Sequence, residues 1–284
     1  MIATIGDLVD DIVVHLHASV ARATDTPASI RRRRGGSAAN VAAAVARLGY
    51  PARFIGQVGA DPAGAWLVAE LEATGVHAVV RRRGTTGTIV VILDHAGERT
   101  MLTDRGSSGE LDAPDRRWLQ GVQVLHVPLY SLIGGTLANT AARLVSWAHA
   151  AGVMVAVDAS SSSLIESAGA TRARAAIAAC RPHVLFCNEP EHAALGGDAH
   201  RDDLGAAVVV VKYGPAPAIV LRASGERVSV PVPLVADVRD TTGAGDAFAA
   251  GFLAATCSGS NDIDAVVAGH RSAAAAIVTA SRAT

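Results

Sequence analysis

The chain has 284 residues, 50% hydrophobic and 18% charged, with a formal net charge of −1. That length supports a large core or a core with a smaller lobe, and the charge balance argues against a nucleic-acid partner. Cys180, Cys187 and Cys257 have no metal-like spacing, no apolar span is long enough for a membrane helix, and the opening MIATIGDLVDDIVV lacks a basic leader; free thiols in a reducing, cytoplasmic setting with no membrane partner are expected.

In chain order, a strand is predicted over Ala3–Val9, and Ile12–Arg34 shows short alternating stretches with no helix signal. A helix follows, with Ser37 as its N-cap and Gly49 beyond its end. Next come a strand over Ala52–Val58 and a helix opened by Asp61 and Pro62 and closed by Gly75. Thr88–Thr103 reads as a hairpin turning near His95–Gly97. Further strands are predicted over Val122–Val127, Val153–Asp158, His183–Asn188 and Ala207–Lys212. Helices are predicted over Leu137–Ala150, Arg172–Ala179, Ala244–Thr256 and Ile263–Ala280, and Ser160–Ser163 reads as a loop. Strands apolar on both faces, alternating with helices, predict an α/β fold whose mostly parallel central sheet is covered by helices on both sides. Ile12–Arg34 and Thr88–Thr103 fit no strand–helix–strand unit and are expected to pair as a small accessory sheet over a site.

Two segments carry chemistry. In DTTGAGDAF, from Asp240 to Phe248, glycines open an apolar helix whose N-terminal N–H groups and positive dipole end suit an anion. Asp246 in its first turn is placed to take a proton from a hydroxyl that attacks a γ-phosphate. A glycine-rich capped helix is the plainer alternative for such a run. In RGGSAANVAAAVARLG, Gly36 exposes backbone and Asn40 offers a donor and an acceptor, together suited to a polyol. Asn40 satisfying only a nearby backbone group is the alternative.

Together these segments resemble the ribokinase-like (PfkB) family of carbohydrate kinases. Its first signature, GG-x-x-AN and then G-x-x-G-x-D, appears as GGSAANVAAAVARLG followed by FIGQVGADPAG; its second, D-T-x-G-A-G-D-x-F, appears as DTTGAGDAF. The resemblance covers nearly the whole chain and implies a three-layer α/β/α sandwich with a β-sheet lid formed by about residues 12–34 and 84–104, a single kinase domain over 1–284, and ATP-dependent phosphorylation of a sugar hydroxyl. It implies Asp246 as catalytic base and Gly243, Ala244 and Gly245 as anion hole. Asp11 would hold sugar hydroxyls, with Asp10 its rival, alongside Gly36 and Asn40. Asn188 and Glu191 in NEPE match the family's N-x-x-E motif, which organises Mg²⁺ and phosphates through water. Lys212 and Gly214 would line the nucleotide, and Asp240 and Thr242 match positions that bind a monovalent cation, often K⁺. A homodimer through the lid is expected.

His270 and Arg271 depart from the family pattern, which bears on the adenine pocket. Arg105 is a candidate for a substrate carboxylate or phosphate, or an ordinary surface arginine. Thr88, His126 and Tyr130 either line the pocket or pack. Arg31–Arg34 and Arg81–Arg83 attract an anionic substrate, or form a solvated or subunit surface. The alternatives within this fold are a nucleoside kinase and a non-catalytic sugar- or nucleotide-binding protein. A nicotinamide-dependent dehydrogenase ranks last, because IGDLVDD supplies no G-x-G-x-x-G after the first strand.

Overall fold

Runs of Val, Ile, Leu and Phe with no polar face become strands buried on both sides. The computed structural model describes residues 1–94, 98–238 and 240–283. Its first part contains β1 (Ile2–Ile5), β2 (Val9–Leu16), β3 (Ala28–Gly35), α1 (Ser37–Arg47), β4 (Ala52–Val58), α2 (Pro62–Glu72), β5 (His77–Arg82), β6 (Thr86–Leu93) and β7 (Arg99–Gly106). Next come β8 (Val124–Pro128), α3 (Gly135–Ala150), β9 (Met154–Asp158), α4 (Ser162–Ala168), α5 (Ala170–Ala179), β10 (Val184–Asn188) and α6 (Glu189–Ala194). The chain continues through β11 (Val208–Tyr213), β12 (Ala216–Arg222), β13 (Arg227–Val230), α7 (Ala244–Cys257) and α8 (Asp262–Ala283).

A nine-stranded sheet has the order β13-β12-β11-β10-β9-β8-β1-β4-β5, parallel from β11 to β5 and antiparallel at β12 and β13. Successive side chains along each strand point to opposite faces and feed two apolar layers. Phe54, Phe186 and Val210 pack with α1, α2, α7 and α8, whereas Ile55, Leu185 and Val209 pack with α3 and α5. Helices on both faces of a mostly parallel sheet give the three layers expected. No helix among the described residues is long and apolar enough to cross a membrane.

The two interruptions pair as foreseen, in a four-stranded sheet of order β3-β2-β6-β7. The turn expected near His95–Gly97 lies outside the described residues. The strand expected over Ala3–Val9 is two elements, because the chain leaves the large sheet after Ile5 and enters the small one at Val9. At that corner Ser131 Oγ donates to the Ile5 carbonyl at 3.0 Å. Ser37 is not an N-cap: Gly36 takes that place with φ 99°, and a Cβ there would collide with the Asp7 carbonyl oxygen. The Ser160–Ser163 stretch is only partly loop, since Ser161 caps α4 through the Leu164 N–H. Strands β5, β12 and β13 escape the sequence reading because their charged or Pro-containing edges mask the apolar pattern.

The strand order reverses at β1, with β4 and β5 on one side and β8 to β11 on the other. In such sheets ligands bind beyond the carboxyl ends of the strands at this switch point. Asp7, Tyr130, Asp158, Asn188 and Lys212 all lie at or just after strand carboxyl ends.

Candidate active site

Phe186 on β10 holds α7 against the sheet through edge-on contacts with Phe248 and Phe252, at 6.0 and 5.1 Å between ring centroids. This anchoring fixes Asp246, half a turn before Phe248. The helix begins at Gly243, whose left-handed φ of 77° suits glycine, and no side chain caps it. The Ala244 N–H closes the preceding turn onto the Thr241 carbonyl at 3.1 Å. The N–H groups of Gly243, Gly245 and Asp246 make no hydrogen bond among the described residues. Of the three residues expected to form an anion hole, Gly243 and Gly245 have N–H groups without a partner among the described residues, whereas the Ala244 N–H is taken by Thr241. Helix α1 starts at a second uncapped glycine, Gly36, and packs against α7. By contrast, α2 and α6 carry capping side chains, Asp61 and Asn188.

Helix α1 also fixes the Asp246 carboxylate. Ser37 Oγ donates to Asp246 Oδ1 at 2.7 Å and Asn40 Nδ2 donates to Oδ2 at 3.0 Å. Desolvation pushes the Asp246 pKa up to about 6; the Asp158 charge adds to this, and the Ser37 and Asn40 bonds and the Lys212 ammonium oppose it. A carboxylate with such a value is matched to proton exchange near neutral pH.

Lys212 points from the end of β11 toward α7, its Nζ 3.6 Å from Asp158 Oδ2 and 5.6 Å from the Phe248 ring centroid. A Cβ on Gly245 would stand 3.6 Å from the same Nζ, so the ammonium faces the helix opening. Burial disfavours its charge, yet Asp158, Glu191, Cys187 and Asp246 outweigh that and raise its pKa. Glu191 is buried, not the solvated first-turn residue that its position in sequence allows. Burial and then the Asp158 charge raise its pKa. Asn188 and Glu191 form a reciprocal capping box on α6: Asn188 Oδ1 accepts from the Glu191 N–H at 2.9 Å, and Glu191 Oε2 accepts from the Asn188 N–H at 2.8 Å.

Strand alternation turns Asp10 and Asp11 to opposite sides of the small sheet. Asp10 is buried and forked by Arg32, which also covers the Trp66 ring. Asp11 lies beside the α1 entry, where a Cβ on Gly35 would collide with its carboxylate. Arg105 is neither a surface residue nor open to a ligand along its whole fork. Its Nε and NH2 bond Asp7 at 2.9 and 2.7 Å, and NH2 also reaches the Tyr130 carbonyl at 3.2 Å. Thr88 faces Asp10 and Asp104 across the small sheet. Asp240 Oδ1 accepts from the Thr242 N–H at 2.8 Å and shapes the approach to Gly243. Gly214 is exposed, with φ 61°, and serves the β11–β12 turn.

His126 packs rather than lining the site: it is fully buried, and burial lowers its pKa to about 4. His270 is also structural, bonding the Pro231 carbonyl at 3.0 Å and lying against the Phe248 ring. Three site residues escaped the sequence reading: Ser37, Asp7 and Asp158. For Asp158 the available signal was a carboxylate ending an apolar strand. A cavity of about 580 Å³ lined by Arg81, Trp118 and Trp147, among others, lies at the β5 edge and shares no residue with the Asp246 cluster.

Comparison with known proteins gives the family and the fold. Residues 1–284 match the pfkB family carbohydrate kinase family. The chain belongs to that family. It is 35% identical over 241 residues to an ATP-dependent ribose-1-phosphate kinase from Halopiger xanaduensis, covering 81% of this chain and 76% of the relative. It is 32% identical to a fructokinase from Salmonella typhimurium, covering 78% and 76%. The fold superposes on adenosine kinase from Sinorhizobium meliloti with a TM-score of 0.85 at 24% identity, covering 98% and 93%. It also superposes on Arabidopsis thaliana ribokinase complexed with ribose and ATP, with a TM-score of 0.79 at 22% identity, covering 98% and 92%. The expected ribokinase-like fold and carbohydrate-kinase class are both borne out.

Proposed function

We propose that the protein transfers the γ-phosphoryl group of ATP to a hydroxyl of a sugar or sugar-bearing small molecule, with Asp246 as the base. One observation carries the proposal. A carboxylate raised to a pKa of about 6 lies at an uncapped, glycine-opened helix N-terminus, held in one orientation by Ser37 and Asn40.

In the reaction the acceptor oxygen bonds to the γ-phosphorus and the bond to the β–γ bridging oxygen breaks. The electron pair leaves with ADP, and the acceptor proton passes to Asp246. The N–H groups of Gly243 and Gly245 receive the charge that builds on the transferring group. Lys212, fixed between Asp158 and the helix opening, adds a positive charge there. Asp11, Gly36 and Asn40 border the acceptor, and the small sheet above them excludes water as a lid.

Mg²⁺ suits the donor set. Asp158, Glu191 and Asp246 outnumber the ammonium of Lys212, and burial and then the Asp158 charge raise the Glu191 pKa. Asn188 and Glu191 would hold the ion through water, and it would neutralise phosphate charge. Asp240 and Thr242 offer oxygens of the kind that K⁺ takes.

The exposed Ile30 and Leu102 on the edge strands of the lid fit pairing with a second copy, which sedimentation would register as a dimer. A cytoplasmic setting fits the need for ATP and the free thiols.

The deciding experiment is coupled ADP release over sugars, phosphosugars and nucleosides, with Asp246→Asn as control. The variant should lose about 10²–10⁴-fold in kcat while still binding the acceptor. Undiminished turnover would remove Asp246 as base, and silence across the panel would favour a binding protein.

A further inference from the structure

The four consecutive arginines of β3 do not share one role. Arg32 is spent on Asp10 and Trp66, and Arg33 Nε lies 3.6 Å from Asp11 Oδ2. Arg34 differs. Its NH1 donates to Asn40 Oδ1 at 3.0 Å, a neutral acceptor, and no carboxylate stands within ion-pair distance of it among the described residues. Arg34 is half-buried, and burial followed by the Arg47 charge lowers its pKa. A guanidinium does not give up its proton in a protein. Among the described residues Arg34 is therefore a partly desolvated cation with one hydrogen bond, attracted by Asp246, Glu70 and Asp11 but ion-paired to none of them, whereas buried charges are ordinarily paired.

Its position is informative. The Asn40 amide bonds Arg34 through Oδ1 and Asp246 through Nδ2, so a single amide separates the cation from the base. Arg105, the other arginine of the site, is ion-paired: its Nε and NH2 bond Asp7, and NH2 also reaches the Tyr130 carbonyl. Of the two, Arg34 is the one with no carboxylate at ion-pair distance among the described residues.

We infer that the acceptor carries an anionic group, a phosphate monoester or a carboxylate, which Arg34 holds while the reacting hydroxyl meets Asp246. This assignment rests on the kinase reading of the site. Arg34 anchors the substrate: binding the anion completes its pairing and sets the distance from the anchored end to the hydroxyl that reaches the base. A neutral sugar leaves the guanidinium without its partner and binds correspondingly less well.

The test compares ribose, ribose 1-phosphate, ribose 5-phosphate and ribonate as acceptors for the wild type, Arg34→Gln and Arg34→Lys. Wild-type kcat/KM should favour one anionic acceptor over ribose by about 30- to 100-fold, the worth of a charge-assisted pair. Preference for an ester or for ribonate tells phosphate from carboxylate. Arg34→Gln should collapse that ratio, chiefly through KM, and Arg34→Lys should retain part of it. Equal losses on neutral and anionic acceptors would overturn the proposal and leave Arg34 as a residue that positions Asn40. Absence of any wild-type preference for an anionic acceptor would also overturn it.

Calorimetric titration of each ribose phosphate without nucleotide separates this inference from the kinase reading. If no acceptor is turned over, the kinase reading fails, and the titration alone decides the anchor. Binding by the wild type but not by Arg34→Gln, both folded by thermal melting, supports it; equal binding or none by the wild type overturns it.

Discussion

Ser37→Ala removes one of the two hydrogen bonds that favour the ionised form of Asp246. The Ser37 Oγ to Oδ1 distance is 2.7 Å, and burial already holds the pKa at about 6. A hydrogen bond to a charged group contributes about 1.5–3 kcal/mol. Asp246 is only half-buried, so water replaces part of the loss and the lower figure applies. At 1.36 kcal/mol per pKa unit, the carboxyl moves up by about one unit, to about 7. The acid limb of the kcat/KM–pH profile reports the base in the free enzyme. The variant should therefore run about eightfold slower than wild type at pH 5.5 and within about 10% of it at pH 8.5.

Stability gives an independent readout with a defined sign. The folded-state pKa of Asp246 exceeds its ordinary value of 3.8, so its contribution to stability is fully present below that value and is lost as pH rises through about 6. Removing the Ser37 bond increases that loss, so the melting temperatures of variant and wild type should differ more at pH 8 than at pH 4. A uniform rate decrease with an unmoved acid limb would refute the account of Ser37. A wild-type profile without an acid limb near pH 6 would refute Asp246 as the titrating base.

Gly36→Ala should lower stability by about 1–3 kcal/mol in denaturant titration, because φ is 99° and the new methyl meets the Asp7 carbonyl oxygen. Lys212→Met should cost about 3–5 kcal/mol by leaving Asp158 and Glu191 without their buried cation, and should move the acid limb upward by removing a charge that lowers the Asp246 pKa. Chelation by EDTA should abolish ADP release and added Mg²⁺ should restore it; chelator-insensitive activity would sink the roles given to Asn188 and Glu191. Adding K⁺ at fixed ionic strength should raise turnover if Asp240 and Thr242 hold a cation, and a flat response would remove that site.

Local chemistry alone determined much of this protein. Apolar runs such as ARFIGQV and VLFCN are strands by their own composition, and Asp61–Pro62 opens a helix wherever it folds. Glycines followed by Asp246 at an apolar helix suggest from the sequence alone a helix N-terminus suited to an anion, since backbone freedom and the helix dipole are properties of a few adjacent residues. Pairing between distant residues was decided only in three dimensions. Ser37 reads locally as a cap, but a partner 209 positions away takes its hydroxyl. Arg105 reads as a contact for a substrate anion or as a surface arginine, but Asp7, 98 positions away, forks it. Asp10 and Asp11 are equivalent in sequence and opposite in space, because adjacent strand residues face opposite sides of a sheet. Among four identical arginines, tertiary structure singles out Arg34, because the charge that compensates a side chain depends on which neighbours the fold brings to it.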